Sequence, residues 1–339
     1  MRDYNVAVVG ATGAVGSETV RMLDMRNFPI RSIKLLASGR SAGKTMPFRG
    51  RDVVIEELKE TSFEGVEIAF FGAGSGVSKQ FAAHAVKAGA LIIDKTSAFR
   101  MLADVPLVIP EINGTEIARH KGIVSSPNCV AVVLTMAIYP ILKRYPIKRL
   151  VVSSYQATSG AGAKAARELL NQTKAFLAGE PLPREVFKHQ IAFNLFSHDS
   201  PIYDNGYNDE ENKVIEETRK ILSLPELPIA VTCVRVPIVR AHSVSINYES
   251  DRPVDLDEVR ALLGAANGVK VVDDRVNNHF PMPIECSEKD EVLVGRLRTD
   301  LSNPNGIELF ASGDQLLKGA ALNAVQIAEY AVGNGIIKG

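Results

Sequence analysis

Net charge of either sign is missing from this 339-residue chain, which carries 39 Lys and Arg residues against 39 Asp and Glu residues. A balanced composition gives no electrostatic footprint for nucleic acid or for an anionic membrane surface, so we predict neither partner. Long apolar runs are missing as well, since no stretch approaches the roughly 18 residues of a membrane-spanning helix. We find no internal repeat and no low-complexity tract. Together these absences indicate an ordinary globular protein.

Cysteine is scarce. The three cysteines, at positions 129, 233 and 286, lie far apart and are odd in number. Both facts argue against a disulfide framework and fit a reducing compartment. The chain enters a strand-like run, "YNVAVVG", close to its first residue and shows no signal-peptide pattern. We therefore predict a cytoplasmic enzyme, and we predict no metal site.

The order of apolar runs predicts two domains of different character. In the first, strand patterns such as "YNVAVVG" and "ALIIDKTS" alternate with helical patterns, which is typical of a doubly wound parallel sheet. "PLVIPEING" and "GIVSSPN" are expected to be its last strands. In the second, "HSVSINYE" alternates apolar and polar residues, as an antiparallel strand does.

The predicted fold class is thus α/β. A Rossmann-type domain is expected over residues 1–127, completed by a C-terminal helix at 316–339. An α+β domain with a mixed, largely antiparallel sheet is expected over 128–315. A polar segment at 178–212 is too long for a simple connection and is expected to be functional or to make contacts.

A glycine-rich loop, "GATGAVG", lies between the first strand and the first helix. Glycines there let the backbone turn tightly and approach a pyrophosphate, whose charge the helix N-terminus stabilises. The spacing is GxxGxxG rather than GxGxxG, so a helix start with incidental glycines is the alternative. The strand–loop–helix context favours a dinucleotide cofactor held by Gly10, Thr12, Gly13, Ala14, Val15 and Gly16.

The loop after the second strand indicates which dinucleotide is bound. An NAD enzyme carries Asp or Glu there to hold the ribose 2′-hydroxyl. This chain instead reads "LLASGRSAGK", with Ser38, Arg40, Ser41 and Lys44 and no carboxylate. Guanidinium and hydroxyl donors pair with a 2′-phosphate. We predict NADP rather than NAD, with a solvated basic loop as the alternative.

Cys129 follows "SSPN" and opens a long apolar run. A lone cysteine is usually a small buried hydrophobe. A helix N-terminus at this position would instead favour the thiolate and make it a nucleophile. Cys233 and Cys286 lie in strand-like surroundings and are interpreted as packing residues.

The whole chain resembles the aspartate-β-semialdehyde dehydrogenase family. The matching segments run in family order from residue 10 to residue 329 and include "GATGAVG", "LASGRSAGK", "SAFRM", "SPNC", "SYQATSGAG", "CVRVP", "AHS", "VGRLR" and "LLKGAALNAVQIAE". The resemblance implies reduction of β-aspartyl phosphate by NADPH to aspartate semialdehyde and phosphate. It places the reaction in lysine, diaminopimelate, threonine, methionine and isoleucine biosynthesis. It also implies that 128–315 is the catalytic and dimerisation domain of a homodimer, or of a tetramer.

The resemblance also assigns roles to individual residues. Cys129 matches the nucleophile that forms a thioacyl intermediate, His242 the acid/base residue and Gln156 the amide that orients the intermediate. The positions that match substrate and phosphate contacts are Arg235, Glu210, Lys213 and Arg100. The positions that match contacts at the nicotinamide end of the cofactor are Ser159, Gly160 and Asn323. Without the resemblance, "DEENKVIEETRK" would be interpreted as a solvated, salt-bridged helix with Glu210 and Lys213 on one face.

Three residues depart from the family pattern. Val130 stands where a hydroxyl residue usually follows the cysteine, Lys95 replaces an asparagine, and Ser75 lies in an altered cofactor loop. Two alternatives stay open: a related acyl-phosphate reductase, and a catalytically impaired paralogue with a binding role, which only Val130 and Lys95 favour.

Overall fold

The computed structural model describes residues 2–337, which form two compact units. One unit comprises Met1–Asn128 together with Ala320–Gly339, and the other comprises Cys129–Gly319. Positions 1, 338 and 339 of the predicted domain ranges lie outside the described residues. Each unit is built around its own β-sheet.

The first unit is a strand–helix alternation. Its elements up to residue 128 are β1 (Tyr4–Val9), α1 (Ala14–Met25), β2 (Ile30–Ala37), β3 (Thr45–Phe48), β4 (Arg51–Glu57), β5 (Ile68–Phe71), α2 (Ser75–Lys87), β6 (Leu91–Asp94), α3 (Pro110–Asn113) and β7 (Ile123–Ser125). The described strands lie in the order β3-β4-β2-β1-β5-β6-β7, parallel from β4 to β7, with β3 antiparallel to β4. Strand β1 is buried except at Asn5, as a central parallel strand covered on both faces must be. The predicted doubly wound sheet is confirmed.

Two details of this unit differ from prediction. The β3–β4 hairpin was not predicted, and it extends the sheet beyond β2. The prediction of a strand in "PLVIPEING" is wrong. Leu107 makes a single isolated bridge to Ser125, and Pro110 is the first residue of helix α3. Proline lacks an N–H and has its φ preset for a first helical turn.

The C-terminal helix (Leu322–Gly333) belongs to the first unit. Arg26 and Glu329 form an ion pair at 2.7 Å that ties the end of α1 to this helix. Gly114 lies so close that a Cβ there would approach the ring of Tyr330 to 2.6 Å. The sequence predicted one continuous helix, but Leu317–Ala321 form a π-helical turn before the α-helix begins. Such turns occur often near functional sites.

The second unit contains a mixed sheet with helices. Its elements are α4 (Cys129–Leu142), β8 (Ile147–Gln156), α5 (Ala163–Ala178), β9 (Phe196–Ser197), α6 (Asp209–Leu222), β10 (Ile229–Arg235), β11 (His242–Ser250), α7 (Leu256–Gly264), β12 (Val269–Val271), α8 (Pro283–Cys286), β13 (Val292–Thr299) and β14 (Gly306–Gly313). The described strands lie in the order β12-β13-β14-β11-β8-β10-β9. The pairs β8/β10 and β12/β13 are parallel and the other pairs antiparallel. The predicted mixed, largely antiparallel sheet is confirmed.

Helix α4 is the centre of this second unit. It is apolar nearly all round and contacts β11, β13 and β14 of the sheet as well as α6 and α7. A helix that is hydrophobic on every face has to be buried. Its first residue is Cys129, so the predicted helix start at the cysteine is confirmed.

Among residues 2–337, the structure contains no helix that is both long enough and apolar enough to cross a membrane.

Candidate active site

The glycine loop of the first unit can be formed only by glycine at two positions. Gly10 has a φ of +84°, and a Cβ there would lie 2.9 Å from Cβ of Ala73. A Cβ on Gly16 would lie 2.0 Å from the carbonyl oxygen of Gly10. Helix α1 then starts after Gly13 with no side-chain cap and no acidic residue in its first turn. Its N–H groups therefore suit a pyrophosphate, and Thr12, Ala14 and Val15 lie in the same loop and first turn.

The loop after β2 carries the predicted 2′-phosphate residues. Ser38 and Arg40 are exposed, and the Ser41 hydroxyl lies 3.5 Å from the hydroxyl of Thr12, which brings the two cofactor loops together. The sequence predicted no carboxylate here. The β3–β4 hairpin nevertheless brings one, because Oε1 of Glu57 lies 2.8 Å from the position of a Cβ on Gly39.

Ser126, three residues before Cys129, is a hydrogen-bonding centre of the first unit. Its hydroxyl accepts from Nζ of Lys95 at 3.1 Å and from Nδ2 of Asn323 at 2.9 Å. Its carbonyl accepts from Nε of Arg100 at 3.0 Å, and a further nitrogen of Arg100 donates to the carbonyl of Lys95 at 2.8 Å. Lys95, Arg100 and Asn323 are thus brought together by one residue. The cation that departs from the family pattern helps to hold this segment.

Asp94 ends β6 beside this group. Burial raises the pKa of Asp94, although its carboxylate accepts from the hydroxyls of Ser78 and Thr96 at 2.9 Å. Ser75, the third departure from the family pattern, lies 3.0 Å from Ser97, hydroxyl to hydroxyl. These contacts fix the end of β6 and the turn after it.

In the second unit, Cys129 differs from the other two cysteines. It is half-buried, whereas Cys233 and Cys286 are fully buried. Burial raises the pKa of Cys233 strongly and that of Cys286 to about 12, so both remain thiols. A Cβ on Gly319 would lie 2.9 Å from Cβ of Cys129, so the space beside this cysteine requires a glycine. Val130, the departure next to it, is completely buried in the core.

Three strands of the second sheet deliver polar residues to one edge. β8 ends at Gln156 and β10, parallel to it, ends at Arg235, and these two residues are paired in register. β11 runs antiparallel to β8 and begins at His242. All three side chains are buried. The strand directions therefore bring together residues that lie 86 positions apart in the chain, from Gln156 to His242.

His242 is completely buried. Its Nδ1 accepts from the backbone N–H of Ala157 at 2.9 Å, so the neutral ring carries its proton on Nε2. Nε2 has no hydrogen-bond partner among the described residues. Burial, together with the neighbouring Arg235 and His198, lowers the pKa of His242 well below its usual 6.5. The ring is therefore a neutral donor at neutral pH.

Arg235 is held by two acceptors. Nη1 donates to the carbonyl of Ala157 and Nη2 to Nε2 of His198, both at 2.8 Å, and the guanidinium lies 5.7 Å from the ring centre of Phe187. Its Nε–H has no partner among the described residues. Burial lowers the pKa of Arg235, while the charges of Asp199 and Glu210 and the sulfur of Cys129 act in the opposite direction.

Gln156 and Glu210 form a direct pair. Nε2 of Gln156 donates to Oε1 of Glu210 at 3.0 Å, and Oε1 of Gln156 accepts from Ser154 at 3.0 Å. Glu210 lies in the first turn of α6, which begins at Asp209. The ammonium of Lys213 binds Asp209, four residues earlier in this helix. The stretch is therefore not a purely solvated helix, since Glu210 is buried against Gln156.

Ser159 and Gly160 lie in a 3₁₀ turn directly after β8. The Ser159 hydroxyl donates to the carbonyl of Val239 and accepts from Nε2 of Gln315, both at 2.5 Å. Oε1 of Gln315 accepts from the backbone N–H of Ala241 at 2.6 Å. Gln315 therefore connects this turn to the residue before His242.

Sequence reasoning missed several residues of these sites, among them Glu57, Ser126, His198 and Gln315. His198 lies in the polar segment at 178–212, whose length was the available signal. The other three act through contacts between residues distant in sequence, for which the chain alone gave no signal.

Comparisons with known proteins place the chain among semialdehyde dehydrogenases. Residues 5–120 match the family model described as semialdehyde dehydrogenase, NAD binding domain, and residues 138–318 match semialdehyde dehydrogenase, dimerisation domain. An aspartate-semialdehyde dehydrogenase from Synechocystis sp. is 48% identical over 97% of this chain and 98% of its own length. One from Bacillus subtilis is 46% identical over 97% of each chain. The crystal structure of aspartate semialdehyde dehydrogenase II from Vibrio cholerae complexed with ASA is 40% identical, with a TM-score of 0.96, covering 98% of this chain and 99% of that one.

Proposed function

Because the chain belongs to the aspartate-semialdehyde dehydrogenase family, we propose that it reduces β-aspartyl phosphate to aspartate semialdehyde with NADPH, through a thioacyl intermediate on Cys129. The observation that carries the proposal is the edge of the second sheet. There the ends of three neighbouring strands bring Gln156, Arg235 and His242 together, and Cys129 lies within electrostatic reach of Arg235. The reaction supplies lysine, diaminopimelate, threonine, methionine and isoleucine biosynthesis.

Cys129 is the nucleophile. Its position at the first residue of α4 exposes the sulfur to the positive end of the helix dipole, which favours the thiolate. The sulfur attacks the acyl carbon of β-aspartyl phosphate, a C–S bond forms, and the C–O bond to phosphate breaks as phosphate leaves. NADPH, when bound, would supply the hydride that reduces the thioester carbon. The C–S bond then breaks, aspartate semialdehyde leaves and Cys129 is released as the thiolate.

His242 is a hydrogen-bond donor to the reacting carbonyl oxygen. Because its neutral ring carries hydrogen on Nε2, it donates a hydrogen bond to the substrate carbonyl oxygen as negative charge develops there. In the reverse direction, the same Nε2–H donates a hydrogen bond to the oxygen of the adduct that Cys129 forms with the aldehyde. Gln156 orients the acyl group, since a neutral amide can hydrogen-bond without competing as a nucleophile.

Charged side chains bind the substrate at both of its ends. Arg235 binds the α-carboxylate through its Nε–H and the remaining N–H groups of its fork. Glu210 binds the α-ammonium. Lys213 and Arg100 bind the phosphate, each already oriented by neighbours within its own unit.

The first unit binds the dinucleotide. The glycine loop at Gly10 and Gly16 accommodates a pyrophosphate, and Arg40 with Ser38 and Ser41 binds the 2′-phosphate of NADP. Ser159, Gly160 and Asn323 serve its nicotinamide end. The functional molecule is a homodimer formed through the region that matches the dimerisation domain, residues 138–318. A tetramer and a cytoplasmic location remain predictions.

The decisive assay follows NADP reduction with aspartate semialdehyde and phosphate. The wild type is expected to be active and Cys129→Ala inactive. Cys286→Ala is the matched control, because Cys286 is a packing residue in contact with Ala241 and Leu293, and it should retain activity. Activity in none of the three proteins would reject the function, and equal activity in all three would reject the cysteine mechanism.

A further inference from the structure

We propose that His198 is a positioning residue that holds Arg235 for the substrate carboxylate and links it to the helix that carries Glu210. The inference rests on the proposed function, in which Arg235 and Glu210 bind the two charged groups of the substrate amino acid. His198 itself reaches the substrate through Arg235 and does not touch the reacting atoms.

The backbone fixes where His198 lies. The short strand β9 pairs antiparallel with the end of β10, with Phe196 opposite Arg235. Beyond β9 the ladder continues, because the backbone N–H of His198 donates to the carbonyl of Cys233 at 2.8 Å. The imidazole therefore lies beside the guanidinium because of strand pairing.

The chemistry of arginine fixes the state of the ring. A guanidinium has only donors, so the 2.8 Å contact from Nη2 requires that Nε2 of His198 accept. The proton of the neutral imidazole must then be on Nδ1. Nδ1 lies 3.1 Å from the hydroxyl oxygen of Ser200, which accepts it.

The hydrogen bonds continue to α6. The backbone N–H of Glu210 donates to the same Ser200 oxygen at 3.2 Å. A series of hydrogen bonds thus runs from Arg235 through His198 and Ser200 to the first turn of α6. These hydrogen bonds position Arg235, which binds the α-carboxylate, relative to the helix whose Glu210 binds the α-ammonium. They therefore favour a substrate that carries both groups on one carbon atom.

The charged groups around His198 raise or lower the pKa of its ring. Burial lowers the pKa of His198; Glu210 of α6 and the adjacent Asp199 oppose this, while Arg235 of β10 and Lys213 of α6 reinforce it. His242 of β11 also lies within electrostatic reach. Protonation would remove the acceptor for Nη2 and place two cations in contact, so Arg235 would lose this partner.

The test compares two replacements. His198→Leu removes the acceptor and should raise KM for aspartate semialdehyde about tenfold, with kcat and KM for NADP changed by about twofold or less. His198→Gln offers an amide oxygen near the place of Nε2 and should restore KM to within about threefold of the wild type. Ser200→Ala, which keeps Arg235 paired, should give a smaller rise in the same direction. Equal KM values in the Leu and Gln variants, or a matching rise of KM for NADP, would overturn the proposal.

A second measurement is independent of activity and of the leucine variant's folding. In ¹⁵N spectra of the wild type near neutral pH, the imidazole signals that vanish in His198→Gln should report a neutral ring protonated at Nδ1. An Nε2-protonated or cationic ring would overturn the proposal. An inactive wild type with the expected tautomer would reject the proposed function while leaving the Arg235–His198 link in place.

Discussion

A methyl group on Gly160 would lie 2.9 Å from Cε1 and 3.0 Å from Nε2 of His242. The same methyl group would lie 3.4 Å from Nη1 of Arg235. Glycine at this position therefore leaves space at Nε2 of His242, which has no hydrogen-bond partner within residues 2–337.

Replacing Gly160 by alanine should reduce kcat by about a hundredfold, because a displacement of the ring by a fraction of an ångström misplaces the proton donor. The thermal midpoint should change little. Gly264→Ala is the control, since no atom lies within 4 Å of a Cβ there. Steady-state kinetics check both variants, and unaltered turnover in Gly160→Ala would contradict the role of this space.

The carboxylate of Glu168 holds the segment that contains Phe187. It is buried and accepts the backbone N–H groups of Glu185 at 3.0 Å and Val186 at 2.5 Å. Gln172, one turn on, accepts from the N–H of Ile191 at 2.9 Å. Glu168→Ala should destabilise the segment by about 2–3 kcal/mol, because buried N–H groups lose a charged acceptor.

Hydrogen exchange of residues 185–192 measures this effect, and the exchange should accelerate in Glu168→Ala. The exposed Glu180 provides the control replacement. Since the guanidinium of Arg235 lies over Phe187, KM for aspartate semialdehyde should also rise in the Glu168 variant. Unchanged protection of these amides from exchange would show that the hydrogen bonds of Glu168 do not hold the segment.

Stability should fall as the pH falls below the usual histidine value of 6.5, because His242 is neutral in the folded state and its pKa there is lowered. In the unfolded chain the same ring binds a proton near pH 6.5, so the unfolded state gains protons that the folded state does not. The expected slope is at most about 1.4 kcal/mol per pH unit for this residue, and His198, whose pKa is also lowered, acts in the same direction.

Urea unfolding at several pH values between about 7.5 and 5.5 gives this slope. His242→Gln should be less dependent on pH than the wild type over the same range. A free energy of unfolding that does not change with pH in the wild type would contradict the prediction.

The two charges near the 2′-phosphate loop should have opposite effects on cofactor choice. Arg40→Gln should raise KM for NADP about tenfold and leave KM for NAD nearly unchanged, because a guanidinium–phosphate pair is lost. Glu57→Gln should lower KM for NADP about two- to fivefold, since its exposed carboxylate repels the 2′-phosphate through screening solvent. Glu56→Gln is the matched control, because neighbouring strand residues point to opposite faces. Equal shifts for both cofactors would show that neither charge contacts this part of the dinucleotide.

The sequence was sufficient for features that depend on local patterns. Alternating strands and helices predicted the parallel sheet, and "SPNC" before an apolar run predicted a helix start at Cys129. The glycine spacing predicted a close backbone turn at Gly10 and Gly16. Each of these follows from a few consecutive residues and their conformational limits.

Features that depend on pairing between distant segments could not be predicted this way. The parallel pairing of β4 with β2 brings Glu57 to Gly39, and no pattern in either segment predicts that pairing. Lys213 and Glu210 share a helix as expected, but the ion pair of Lys213 with Asp209, one turn before it, was not predicted. His198 meets Arg235 because β9 pairs with β10, and a two-residue strand has no recognisable sequence pattern.

Helix α4 joins Cys129 to the hydrophobic core. Apart from Cys129, Tyr139 and Leu142, its side chains are buried, and Val133 lies where a Cβ on Gly313 would come within 2.9 Å of it. The position of the sulfur therefore depends on how the buried side chains of this helix pack. A substitution in the core three turns away from Cys129 is consequently expected to change the candidate active site as well as the core.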